Sequence, residues 1–151
     1  MKIRQSGSGV DAAKTPAGLD ENVLVLLDST VLIDYLRGRP VVARVQRLEA
    51  LGDVACTTAV NVEEVYRGLR PEEADRADTL VRGLVILPLG LREGRRAGEW
   101  RQRFASGGRT LPQSDCLIAA AAYSASALLA TGNPKDFPME GIRLEHWPVG
   151  S

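Results

Sequence analysis

The stretch VLVLLDST at residues 23–30 decides how this chain folds. Its five consecutive apolar residues have the length and composition of a strand that is buried on both faces, as the central strand of a parallel sheet is. The run ends at Asp28, and Ser29 or Thr30 can then cap a helix. We therefore predict a central parallel strand that carries an acidic residue at its carboxyl end.

Strand-like and helical segments alternate outward from this run. Four more segments read as strands, at residues 53–56, 84–87, 127–131 and 142–145. Between them the apolar residues recur at helical spacing, most clearly in a long helix at 91–106 and in an apolar helix from Asp115 that Ser114 can cap. This alternation predicts an α/β fold, an α/β/α sandwich around a central, mainly parallel sheet of four to five strands.

The length and composition indicate a single domain. The 151 residues fit one domain, and the formal net charge of +0 argues against a protein that coats nucleic acid by bulk charge. Residues 1–21 are polar and without periodicity, so we expect a disordered tail or a remnant of an expression vector there, and one domain at 22–151. No membrane-spanning run and no secretory signal are visible, which favours a cytoplasmic location without a membrane partner.

The scarcity of histidine and cysteine excludes several kinds of active site. His146 is the one histidine of the sequence, so a histidine-based zinc site and Ser-His or Cys-His nucleophilic catalysis are disfavoured. Cys56 and Cys116 lie in apolar segments and are expected to be reduced core thiols.

Acidic and amide side chains fall near the carboxyl ends of the predicted strands, where parallel sheets bind ligands. They are Asp28, Glu64, Asp115, Asn133 and Asp136. Oxygen ligands of this kind suit magnesium or manganese. Each residue also has an ordinary structural explanation, such as a helix cap, a solvated acid or a first-turn acid, so their placement alone leaves the existence of a site undecided.

Four motifs in order resemble the PIN domain family, and specifically the VapC ribonuclease toxins of bacterial type II toxin–antitoxin systems. They are LDSTVLID at 27–34, TAVNVEEVYRG at 58–68, LPQSDCLIAA at 111–120 and LATGNPKDF at 129–137. The match runs from Val25 to about Trp147, which is most of the chain.

The resemblance implies magnesium-dependent hydrolysis of RNA phosphodiester bonds, with manganese as a substitute and a 5′-phosphate left on the product. It assigns Asp28, Glu64 and Asp115 as catalytic residues and metal ligands, and it selects Glu64 over Glu63 because the functional Glu sits four residues before a Gly. Asn133 stands where many members have Asp. Whether Asn133 or Asp136 completes the site, and whether one or two ions bind, stays open.

The resemblance also implies partners and a way of binding RNA. Relatives of this kind cut structured RNA, often transfer RNA, and so inhibit translation; a VapB-like antitoxin silences them, and they form homodimers. Side chains near the expected rim are candidates for contacting the substrate: Ser29, Thr30, Arg37, Arg39, Arg67 and Arg109. Tyr35, Leu36 and the helix from Val41 are candidate docking surfaces for a partner protein.

Two alternatives compete with this interpretation. The first is a catalytically silent PIN-like module that binds RNA or a partner, against which the intact Asp28, Glu64 and Asp115 argue. The second is an aspartyl-phosphate enzyme with Asp28 as nucleophile, which would need another Asp two residues later, where Thr30 stands.

Overall fold

A computed structural model describes residues 23–150 of the chain. The predicted N-terminal tail at 1–21 lies outside the described residues. The strands are β1 (Leu24–Leu27), β2 (Val54–Thr58), β3 (Val85–Leu87), β4 (Leu128–Thr131) and β5 (Arg143–His146). The α-helices are α1 (Ser29–Leu36), α2 (Val41–Ala50), α3 (Ala59–Arg67), α4 (Ala74–Arg82), α5 (Leu91–Ser106) and α6 (Gln113–Ala125).

The five strands form one sheet in the order β3-β2-β1-β4-β5, and every neighbouring pair is parallel. The apolar run at 23–30 supplies its central strand, with Leu26 opposite Cys56 on one side and Leu129 on the other. The prediction of a mainly parallel sheet of four to five strands is therefore confirmed, with all five strands parallel.

Helices cover both faces of the sheet. Alternate residues of a strand point to opposite faces, and β1 shows this directly. Leu26 packs with Ile118 and Trp100 from the α5 and α6 side, whereas Val25 and Leu27 pack in a second core with α1, α2 and α3. The predicted α/β/α sandwich is confirmed, because the sheet separates two apolar cores.

Two predicted helix starts are wrong. The residue before α1 is Asp28 itself, so neither Ser29 nor Thr30 is the cap. The last long helix begins at Gln113 behind the extended Pro112, which places Ser114 inside the first turn instead of at the cap. Proline disfavours the helical conformation of the residue before it and is pre-set for a helix entrance. Asp115 lies in the first turn of this helix, where the sequence predicted an acidic residue.

The other sequence expectations concern the cysteines and the membrane. Cys56 and Cys116 are both buried and free, as predicted. Burial raises the pKa of the Cys56 thiol to about 12, so that thiol is unreactive at neutral pH. Among the helices of residues 23–150, none has the length and apolar character needed to cross a bilayer.

Candidate active site

The order of the strands creates a crevice at the carboxyl end of β1. From β1 the chain continues to β2 on one side of the sheet, while β4 lies on the other side. Connections that diverge from such a point leave a binding crevice beyond the strand ends. Asp28 directly follows β1, and its N–H donates to the Ala130 carbonyl at 3.0 Å. The fold therefore places Asp28 beside Thr131, the last residue of β4, at the mouth of this crevice.

The Asp28 carboxylate is held on both oxygens. Its residue is only 6% exposed. The Thr131 hydroxyl donates to Oδ2 at 2.7 Å, the Thr30 hydroxyl reaches the same oxygen at 3.4 Å, and the Asn61 amide donates to Oδ1 at 3.2 Å. Burial raises the pKa of Asp28, hydrogen bonds from Thr131 and from the Ser29 backbone lower it, and Glu64 raises it again. The carboxylate is thus fixed in position by donors that compensate part of its desolvation.

Asn61 connects Asp28 to the start of α3. It is fully buried, and Thr58 fixes its orientation: the Thr58 hydroxyl donates to the amide oxygen at 2.7 Å, while the Asn61 N–H donates to Thr58 Oγ1 at 3.2 Å. With the oxygen engaged, the amide nitrogen faces the crevice and donates to Asp28 and to Ser29 Oγ at 3.0 Å. A helix cap therefore also orients the first catalytic candidate.

Glu64 lies one turn after Asn61 on the same face of α3. The Ser29 hydroxyl donates to Glu64 Oε1 at 2.5 Å. Its neighbour Glu63 is exposed and pairs with Arg67 at 2.6 Å. The structure thus brings Glu64 into the crevice network and leaves Glu63 on the outer surface of the helix.

Asp115 enters the crevice from the first turn of α6. Burial is the main cause that raises its pKa to about 6, and the charges of Asp136, Asp28 and Glu64 raise it further. Within residues 23–150, no hydrogen-bond donor reaches its carboxylate. A partly buried carboxylate among three like charges is stabilised by a proton or by a cation.

The donor set fits a hard divalent cation. Asp28, Glu64, Asp115 and Asp136 supply only oxygen ligands, which magnesium and manganese prefer, and their mutual repulsion favours a positive ion. In the described part of the chain, no three acidic, thiol or imidazole side chains are already arranged as a chelating group. The case for a metal therefore rests on the charge and chemistry of the cluster.

The loop after β4 places Asp136 and Asn133 differently. Asp136 ends a short 3-10 helix, Pro134–Asp136, and its charge is the largest like-charge influence on Asp115. Asn133 is exposed, and its backbone N–H donates to Thr131 Oγ1 at 3.0 Å. Because Asp136 carries a negative charge that reaches Asp115 and Asn133 is neutral, Asp136 is a better candidate than Asn133 for the fourth metal ligand.

The hydroxyls predicted to contact substrate have protein partners. Ser29 connects Asn61 to Glu64, as described above. Thr30 donates to Asp28 and accepts from the Gly132 N–H at 3.0 Å. Both side chains are therefore well placed to position the carboxylates.

Two of the four candidate arginines lie close to the acidic cluster. Arg67 interacts electrostatically with Glu64, and Arg109 donates to the Lys135 carbonyl at 3.0 Å, beside Asp136.

The other two arginines, like Arg67, are held in ion pairs. Arg37 pairs with Glu73 at 3.3 Å, and Arg39 pairs with the buried Asp34 at 3.1 Å. Asp34, although it shares a motif with Asp28, also accepts from the Gly150 N–H at 2.9 Å and serves the fold.

Sequence reasoning missed the residues that hold Asp28 from behind: Thr58, Asn61 and Thr131. A signal for two of them was present, because a Thr followed three residues later by an amide is the spacing of a capping box. The role of Thr131 depends on β4 lying beside β1, which only the fold reveals.

Comparison with known proteins gives a consistent result. Residues 25–138 match the PIN domain family. Ribonuclease VapC19 of Mycobacterium tuberculosis is 30% identical over 115 residues, which cover 76% of this chain and 92% of that protein. Ribonuclease VapC10 of the same species is 33% identical over 117 residues, covering 77% and 87%.

Solved structures share the fold. VapBC2 from Rickettsia felis, bound to a DNA fragment from its promoter, superposes with a TM-score of 0.74 at 20% identity, covering 83% of this chain and 99% of that chain. A toxin–antitoxin complex from Klebsiella pneumoniae gives a TM-score of 0.65 at 25% identity and covers 84% and 99%.

Proposed function

Because this chain belongs to the PIN domain family, we propose that it is a magnesium-dependent endoribonuclease and the toxin of a VapBC-type toxin–antitoxin pair. One observation carries the proposal. The pKa of Asp115 rises to about 6 through burial and through the charges of Asp136, Asp28 and Glu64. Carboxylates that come from four separate segments thus lie near enough for their charges to interact, which supports a shared site at the strand ends where a parallel sheet binds its ligand.

We assign Asp28, Asp115 and Glu64 to the metal, with Asp136 preferred over Asn133 as the further ligand. Magnesium, or manganese in its place, would polarise the phosphate and make the attacking water more acidic. Asn61 and Thr131 keep Asp28 in place, and Ser29 keeps Glu64 facing the crevice. Glu64 thereby binds metal or orients the attacking water, the role left open by the sequence.

RNA is the proposed substrate, since both curated relatives are named ribonucleases. Arg67 and Arg109 lie beside the acidic cluster and are the first candidates for phosphate contacts. Arg37, Arg39 and Arg67 would have to exchange their carboxylate partners for phosphate, which costs least for the exposed pair of Arg67. A transfer RNA target, inhibition of translation and a cytoplasmic site of action complete the proposal.

A VapB-like antitoxin is the proposed protein partner. The structurally similar chains come from complexes described as VapBC or toxin–antitoxin. A groove of about 450 Å³ between α1, α2 and α4 is lined by Tyr35, Leu36, Val42 and Leu80, which include the predicted docking residues. We propose that the antitoxin occupies this groove and that the toxin forms a homodimer.

The test is RNA cleavage by purified protein, followed by sequencing of the RNA ends. Cleavage should require magnesium or manganese, should stop in excess chelator and should leave 5′-phosphates. Toxin purified together with its co-expressed antitoxin should not cleave the RNA. Cleavage that persists in chelator contradicts the metal mechanism, and RNA binding without any cleavage identifies the catalytically silent module instead.

A further inference from the structure

We propose that a second pocket, between the first turns of α5 and the end of α6, binds RNA phosphates outside the catalytic crevice. The pocket has a volume of about 230 Å³ and is lined by Arg92, Arg95, Arg96, Glu99 and Ser124. We call it the arginine pocket. The proposal rests on the proposed function, because it takes RNA as the ligand.

The arginine pocket carries positive charge that the fold does not neutralise. Three of its lining residues are arginines and one is a glutamate. Within residues 23–150, the ion pairs are formed by Arg37, Arg39 and Arg67, so the pocket arginines have none. A hydrogen bond from Ser124, another from the Gly90 N–H at 2.8 Å and the nearby charge of Arg92 lower the pKa of Glu93, so that this carboxylate is already engaged beside the pocket.

Helix stability does not explain these arginines. α5 begins at Leu91, so Arg92 lies in its first turn and Arg95 and Arg96 in its second. The N-terminal end of a helix carries partial positive charge and disfavours cations. Arg92 therefore opposes the helix dipole, and the three neighbouring guanidinium groups repel each other. A bound anion would remove both penalties.

Arg96 is already oriented for stacking. Its guanidinium carbon lies 3.6 Å from the centroid of the Tyr123 ring and 5.8 Å from that of Trp100. Gly141 holds the same tyrosine, because a Cβ there would lie 2.8 Å from ring atom Cε2. A guanidinium fixed in this way can donate to phosphate oxygens along its edge while its plane remains stacked.

The location favours RNA that extends out of the catalytic crevice. α6 carries Asp115 in its first turn and Tyr123 near its end. The eight residues from Asp115 to Tyr123 correspond to about 12 Å along the helix axis. A short stretch of RNA that leaves the catalytic crevice can therefore span the distance to the arginine pocket. Arg37, Arg39 and Arg67 are engaged in ion pairs, whereas the arginines of the pocket have no such partner within residues 23–150 and can accept a phosphate.

The test measures binding of a fluorescent single-stranded oligoribonucleotide of about 10 nucleotides, in chelator so that no metal-dependent hydrolysis occurs. The double variant Arg92→Gln/Arg95→Gln removes two exposed arginines of the pocket. The matched control, Arg47→Gln/Arg82→Gln, removes two exposed arginines from α2 and α4 and changes the net charge equally. Circular dichroism should show all three proteins folded alike.

The pocket variant should bind about tenfold more weakly, and the slope of log affinity against log salt should fall by about 1.4; the control should change affinity less than about twofold. Equal weakening in both variants, unchanged binding in the pocket variant or no binding by the wild type overturns the proposal. Cleavage assayed separately with magnesium tests the proposed function: its absence, with the binding difference intact, would contradict that function and not the arginine pocket.

Discussion

Asp28 and Asp115 face the same crevice, but the protein surrounds them differently. Asp28 is 6% exposed and accepts hydrogen bonds from Thr131, Thr30 and Asn61. Asp115 is less buried, receives no hydrogen bond within the described residues, and its pKa rises to about 6. The Asp28 carboxylate is fixed by donors, while the Asp115 carboxylate is destabilised by burial and by neighbouring charges.

The difference separates two tasks of the site. The donors around Asp28 fix the position of one oxygen pair before any ligand arrives, which is what preorganised catalysis needs. The charge around Asp115 creates the attraction for a cation and makes it depend on pH. Changes on the Asp28 side should therefore alter geometry, and changes on the Asp115 side should alter affinity and titration.

The largest effect is expected for Asp28→Asn. The amide oxygen can still accept from Asn61, and the hydroxyls of Thr131 and Thr30 can rotate to accept the new N–H, so the fold should survive. The lost charge should lower the RNA cleavage rate by about a thousandfold or more. Rates of cleavage and a thermal melt measure the two expectations; a variant that cuts RNA like the wild type would refute the role of Asp28.

Asn61→Ala should come next, because it breaks the link between Thr58, Asp28 and Ser29. Removing a fully buried amide leaves several buried polar groups without partners and should lower the free energy of unfolding by about 2–3 kcal/mol. Cleavage should also fall. Denaturant unfolding measures the first effect, and Thr58→Ser, which retains the capping hydroxyl, is the control. If Asn61→Ala unfolded at the same denaturant concentration as the wild type, the hydrogen bonds of Asn61 to Thr58, Asp28 and Ser29 would not stabilise the site.

Asp115→Asn should stabilise the metal-free protein. The ordinary pKa of this group is 3.8 and its folded-state pKa is about 6, so the folded protein binds the extra proton between these values. Stability therefore falls as pH rises toward 6 and recovers as pH falls toward 4. The variant should melt a few degrees higher at about pH 8 and like the wild type at about pH 4. If Asp115→Asn melted at a lower temperature than the wild type at about pH 8, that result would contradict repulsion between Asp115 and the neighbouring carboxylates.

The smallest effect is expected for Glu63→Gln, compared with Glu64→Gln. Glu63 forms an exposed pair with Arg67 one turn away, and such solvent-exposed pairs contribute little to stability. Glu64→Gln should stop cleavage, whereas Glu63→Gln should leave it unchanged. Cleavage assays of both variants with the same RNA compare the two glutamates. Equal loss of cleavage in both variants would contradict the choice of Glu64, which rests on the motif and on the Ser29 contact.

The sequence predicted the features that depend on local pattern. The apolar run before Asp28 became the central strand, and the long helix was predicted with its observed ends, Leu91–Ser106. The start of the last helix was wrong, because a serine is a common cap while Pro112 provides the extended entrance here. Short-range chemistry decides such ends, and several residues compete for the position.

The sequence could not predict contacts between distant segments. Thr131 and Asp28 are separated by 103 positions, and their hydrogen bond exists because β4 lies beside β1. Likewise, the ion pair of Arg37 depends on where Glu73, 36 positions later, lies in the fold. The candidate carboxylates were recognisable from their motifs, but their supporting groups and the availability of each arginine were not.

Titration of the purified protein with manganese, followed by the paramagnetic resonance signal of the free ion, tests the central claim most directly. At about pH 8, where Asp115 is ionised, the wild type should bind the ion, magnesium should compete for it, and Asp115→Asn should weaken binding by about tenfold or more. Absence of binding by the folded wild type, or equal binding by Asp115→Asn, would contradict a divalent-cation site built on these carboxylates.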